Sequence, residues 1–131
     1  MTPCQVGCCG WAGSQPSYFS QFPVIEIQST FYDPPAANVA QRWRASAPAG
    51  FAFCLKAWQL ITHSASSPTY RRLRRPIDPM QSAFYGAFQD TEQVWSAWRK
   101  TLEIAEALRP TVVLFQPMIM VPPGPSPMWC W

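Results

Sequence analysis

Three observations on this sequence predict an α/β fold of parallel β/α units. Four short runs are rich in branched and aromatic residues, the segments between them carry helical character, and 131 residues are enough for one domain and too few for two. Parallel neighbours need a crossover of about a dozen residues or more, so strands alternating with helices imply a parallel sheet.

The four runs are Val6 to Trp11, Val24 to Tyr32 (VIEIQSTFY), Phe51 to Thr62 (FAFCLKAWQLIT) and Thr111 to Gln116 (TVVLFQ). Between the second and third, Asp33 is placed to cap a helix and Pro34 or Pro35 to fill its first turn. Ala36, Val39, Ala40, Trp43 and Ala47 then recur at helical spacing, and Pro48 and Gly50 end the segment. The strongest helix is DTEQVWSAWRKTLEIAEALRP. Asp90 and Gln93 are spaced as a capping box, Val94, Trp95, Trp98, Leu102, Ala105 and Leu108 form one stripe, and Arg109 and Pro110 close it. From His63 to Gln89 the periodicity dissolves into a long connection with Pro68, Pro76, Pro79 and four of the eight arginines. A structureless connection of that length in a compact domain is usually functional or mobile. Domain organisation follows: residues 1–116 form the β/α unit, and 117–131, proline-rich and uncharged, form an irregular tail.

Composition narrows the function classes. Hydrophobic residues make up 48% and charged residues 13%, which excludes a disordered chain. A net charge of +3 is too small to announce a nucleic-acid binder by itself. The start, MTPCQVGCCGW, has no basic region ahead of an apolar core, and no apolar run approaches the roughly 20 residues of a membrane span. A soluble, cytoplasmic protein with no membrane partner is the expectation. The five cysteines then read as small buried hydrophobes, and a single histidine argues against structural zinc. No glycine-rich phosphate loop is present, and no metal or cofactor is expected.

The opening GCCGW, followed by VIEIQSTFY, GFAFCLKAWQLITH and VVLFQ in that order and spacing, resembles the YecE-like family of domains of unknown function. The likeness covers about residues 5 to 116, and Tyr85 to Phe88 (YGAF) with the helix after it is similar to the archaeal branch. What the resemblance implies is a TIM-type barrel, normally about 250 residues, of which this chain supplies the N-terminal half. After Gln116 the text PMIMVPPGPSPMWCW departs from the family, so a truncated member is expected. A four-strand parallel sheet leaves open edges, and self-association or pairing with a missing C-terminal half follows as the partner expectation.

Strand alternation assigns the inward side chains. With Ile25 and Ile27 toward the helices, Glu26 and Gln28 face the barrel axis. With Phe51, Phe53 and Leu55 outward, Ala52, Cys54 and Lys56 face in, and Leu114 and Gln116 do the same on the fourth strand. Glu26, Lys56 and His63 are therefore the candidate catalytic residues, with Gln28, Tyr32 and Gln116 as ligand contacts at the strand ends where barrel enzymes keep their chemistry. A carboxylate beside an ammonium suits acid–base work or an anionic or hydroxylated ligand, and suits a structural Glu26–Lys56 salt bridge equally well. The resemblance includes both positions. A Schiff base on Lys56 is opposed by Glu26. On these grounds the chain is a metal-independent enzyme or a binder of an unknown small molecule. The alternatives are a nucleic-acid or partner-binding module in which Arg71, Arg72, Arg74 and Arg75 grip phosphates beside Tyr70, or a non-functional fragment.

Overall fold

The computed structural model describes residues 3–118, and the remaining tail expectation for 119–131 lies outside the described residues. Four strands form one parallel sheet in the order β1 (Cys8–Cys9), β2 (Val24–Ile27), β3 (Ala52–Lys56), β4 (Val112–Leu114). Between them run α1 (Gln15–Gln21), α2 (Ser29–Tyr32), α3 (Ala37–Ser46), α4 (Gln59–Thr62) and α5 (Glu92–Leu108). This is the α/β class, and its sequential strand order is consistent with a partial TIM-barrel-like unit. No helix among the described residues is long and apolar enough to cross a membrane.

One face of the sheet is covered. Ile25, Ile27, Phe53 and Leu55 alternate toward the helices and bury completely or nearly so against Tyr18, Ala40, Ile104 and Leu108. Aromatic rings dominate this core: Phe51 lies 4.8 Å from Phe19 and 5.0 Å from Phe53, both edge-on, the arrangement that ring quadrupoles favour. Tyr18, fully buried, joins β1 to β2, its hydroxyl donating to the Val24 carbonyl at 2.8 Å and accepting from the Cys8 amide at 2.7 Å. Burial pushes its pKa up. Arg44 ties α3 to α5 and β3, donating to the Leu108 carbonyl at 2.9 Å and to the Phe51 carbonyl at 3.2 Å. It thereby serves the C-terminal carbonyl of α5, where a cation complements the helix dipole.

Several elements are shorter or differently capped than the sequence predicts. The first run contributes only Cys8–Cys9 to the sheet. The second leaves the ladder after Ile27 and the third after Lys56, each turning into a single helical turn. The reason is that side chains replace the ladder there. Thr30 Oγ1 lies 2.9 Å from the Ile27 carbonyl and 2.7 Å from the Lys56 carbonyl, and buried Gln59 donates to the carbonyls of Tyr32 and Thr69 at 3.0 and 3.2 Å. Asp33 does not cap α3, which begins at Ala37 with Ala36 at the cap position and no side-chain cap; Asp33 pairs instead with Arg74 at 3.1 Å. Thr91, not Asp90, caps α5, its hydroxyl accepting from the Val94 amide; Asp90 accepts instead from the Trp95 indole at 2.7 Å. Within the expected stripe, Trp95 and Leu102 are exposed, and Ala97, Thr101 and Ile104 take the buried face with Val94 and Leu108.

The connection after His63 is not structureless. It contains two 3-10 turns, Pro68–Arg72 and Pro79–Phe84, started by Ser67 and Asp78 accepting from the amides of Thr69 and Met80. It is anchored at both ends, through the Tyr70 hydroxyl donating to the His63 carbonyl at 2.7 Å and the Gln93 amide donating to Gln81 at 3.1 Å.

Candidate functional site

The uncovered face of the sheet carries Glu26, Cys54 and Lys56, all half-buried. Parallel register sets Glu26 against Cys54 and Ile27 against Leu55, so Lys56 stands one step further toward the strand ends on the same face as Glu26. Gln28 lies just past β2, in helical conformation, and its amide donates to Glu26 Oε1 at 3.4 Å. It is thus not a strand residue, and its contact with Glu26 comes from the turn that begins α2.

A structural Glu26–Lys56 salt bridge, the alternative reading of this pair, is not among the ion pairs of the described residues. The ion pairs among the described residues are Arg74–Asp33, Arg99–Glu92 and Lys100–Glu103. The Lys56 ammonium instead sits 4.6 Å above the Phe31 ring, a cation–π contact. The reach is set by α2: because β2 ends at Ile27, the first turn of that helix drops Phe31 under the lysine, where its quadrupole holds a cation without neutralising it.

His63 also contacts Phe31, its ring centroid 5.0 Å away and edge-on. His63 is the residue that ends α4, 8% exposed, and not a solvated loop residue. Its Nδ1 shares a 2.7 Å hydrogen bond with Thr62 Oγ1. Burial, and then the Lys56 charge, lower its pKa below the usual histidine value, so the ring is neutral at physiological pH. Cys54 is shifted the other way: burial, then the Glu26 carboxylate, raise its pKa and keep the thiol protonated.

His63 is fixed by an unusual turn. Gly86, Ala87 and Phe88 all have positive φ, at 79°, 52° and 52°. Their amides donate to the carbonyls of Leu60 at 2.9 Å, Thr62 at 3.2 Å and Ile61 at 2.9 Å, serving the orphan carbonyls of α4. A left-handed stretch of this kind costs energy at Ala87 and Phe88, and it persists where surrounding bonds determine it.

The other sequence candidates do not join this cluster. Tyr32 points its ring at Arg72, whose guanidinium lies 3.5 Å from the ring centroid. Gln116 lies two residues beyond β4 and is exposed, and Leu114, expected to face inward, is exposed at the sheet edge. Of the four arginines, all exposed, Arg72 is stacked on Tyr32 and Arg74 paired with Asp33, so these two are folded onto the end of α2. Tyr70 packs into the apolar cluster around Leu60 and Ile61 and is not presented for stacking. Phe31, Thr30 and Thr62 are the residues that sequence reasoning passed over. Their only signal is adjacency, Thr30–Phe31 directly after Gln28 and Thr62 directly before His63.

A parallel sheet with helices on one face, and with polar side chains grouped at the C-terminal ends of its strands, defines the molecule as a β/α protein. Residues 5–123 match the model of a family described as a protein of unknown function, DUF72, and the chain belongs to that family of YecE-like domains. No curated protein and no solved structure matches the chain. Among the described residues no group of three or more histidine, cysteine or acidic side chains could hold a metal ion.

Proposed function

We propose that the uncovered face is a small-molecule site at the mouth of a TIM-type barrel, of which these four units are the N-terminal half. The ligand is a small anion that also carries hydroxyl groups. Lys56 supplies a positive charge with no carboxylate paired to it, His63 supplies a neutral ring able to accept a proton, and Glu26 with Gln28 supplies acceptor and amide contacts. The single observation that carries this reading is that Lys56 and His63 both contact the ring of Phe31. An ammonium destined only for a structural salt bridge would sit against Glu26, and a purely structural histidine would not need a cationic neighbour that opposes its protonation. The chemistry is metal-independent in this reading, and its acid–base step uses His63 with Glu26. The resemblance of the YGAF sequence at Tyr85 to Phe88, and of the helix after it, supports a place in the archaeal-type branch.

The experiment is a thermal-shift and NMR titration with inorganic phosphate, gluconate and glucose 6-phosphate. The expected result is a rise in melting temperature with movement of the His63 ring resonances for at least one of them, lost in Lys56→Ala. A panel in which no compound moves those resonances overturns the reading.

A further inference from the structure

The connection from residues 63 to 91 is far longer than the 2–6 residues usual between a strand and the following helix, and its middle, from Leu73 to Asp78 with Tyr85, walls a groove. We propose that this groove, of about 610 Å³ between the start of α3 and the flank of α5, binds a nucleoside phosphate. It is distinct from the mouth around Lys56, and the proposal does not rest on the function assigned there.

The volume lies within the range of about 300–1,000 Å³ typical of small-ligand sites. Trp58, Leu60 and Tyr85 line it, flanked by Leu73 and Ile77. The indole N–H of Trp58 is already committed to the Tyr32 carbonyl at 3.3 Å, so the ring offers hydrocarbon surface and no free donor. Such a lining takes a flat, weakly polar body, and a base stacked on an aromatic ring is sequence-tolerant because every base has a π-face.

Charge is confined to the rim. Arg74, Arg75 and Lys100 contribute three positive charges against Asp33 and Asp78. Asp33 is already neutralised by Arg74, and Asp78 accepts from the Met80 amide of its own turn at 2.9 Å. Arg75 has no acidic partner among the described residues. The Arg74–Asp33 and Lys100–Glu103 pairs are partly exposed and are therefore weak enough for a phosphate to compete. A planar guanidinium presents paired donors that match phosphate geometry. An adjoining depression of about 280 Å³ shares Trp58, Leu60 and Tyr85 and adds Gln93, Ser96 and the Glu92 carboxylate, paired with Arg99, polar groups suited to ribose hydroxyls or a base edge and set away from the cationic rim. An aromatic floor, a cationic rim and a polar side lobe together match the three parts of a nucleotide. A sugar phosphate would leave the floor unused, and a lipid would leave the side lobe unused.

The phosphate can belong to a free nucleotide or to a single strand, and titration calorimetry separates the two. The probes are uridine 5′-monophosphate, uridine, inorganic phosphate and a five-residue oligouridylate, with the melting temperature of each variant confirming its fold. Saturable binding of the monophosphate, tighter than of uridine or phosphate, is expected, weakened about tenfold in Arg75→Ala with Lys100→Ala and also in Tyr85→Leu. Lys56→Ala leaves it unchanged. An oligouridylate that binds more tightly, and loses that binding in the same variants, makes the single strand the source; equal affinity makes it the free nucleotide. No saturable binding of any probe, binding that ignores the groove variants, or phosphate binding in Lys56→Ala as tight as the nucleotide's overturns the proposal.

Discussion

Gly86 packs directly against the backbone of His63: a β-carbon at Gly86 would lie 2.1 Å from the His63 carbonyl oxygen and 2.3 Å from its carbon. The same glycine has φ of +79° and donates its amide to Leu60. The residue that ends α4 and the turn that closes on it thus form one unit.

Gly86→Ala is expected to destabilise the protein by about 2 kcal/mol or more, because it adds both a backbone clash and a left-handed alanine. Urea denaturation measures it. The neighbouring Ala87→Gly, at φ of +52°, is expected to have the opposite sign locally, relieving strain. If both variants unfold at the wild-type midpoint, the turn does not hold α4.

The depressed pKa of His63 sets a pH dependence with a definite sign. The folded protein resists protonating this ring, whereas the unfolded chain takes the proton near the ordinary value of about 6.5. In that window the unfolded state binds more protons, so the stability contributed by neutral His63 is complete above about pH 6.5 and is lost as pH falls toward the folded value. Melting temperatures from pH 7.5 to 5 are expected to fall more steeply for the wild type than for His63→Gln. Parallel curves would mean that His63 is as easily protonated in the folded protein as in the unfolded chain.

The outer edge of β4 has no strand partner among the described residues, and Val112, Leu114 and Phe115 are exposed beside Trp95 of α5. An open parallel edge flanked by apolar side chains is a template for association. Sedimentation velocity is expected to show mass rising with concentration, and Leu114→Lys with Val112→Lys to reduce that rise. A wild type of constant monomer mass over a hundredfold range of concentration would show that this edge is not adhesive.

The fold class was legible because its signal is local and repeated. Ile25 and Ile27, then Phe53 and Leu55, alternate in a way only a sheet with one helix-covered face rewards, and the structure buries all four. Element ends were not legible. VIEIQSTFY and FAFCLKAWQLIT are continuous in β propensity, yet each leaves the ladder where Thr30 or Gln59 finds a distant carbonyl, and such partners are not written in the run itself.

The sequence by itself determined which side chains of β2 and β3 face away from the helices, since alternation along a strand is covalent geometry, and it marked Glu26, Lys56 and His63 as the polar groups near their ends. Only the tertiary structure decided their relations. Lys56 and His63 both meet Phe31, Glu26 turns to Gln28, Arg72 and Arg74 fold back onto Tyr32 and Asp33, and a left-handed turn 23 residues beyond His63 sets its backbone. All but the Glu26–Gln28 contact join segments distant in the chain, chosen by competition among carbonyls, rings and charges for the same small volume, and no local pattern encodes the winner.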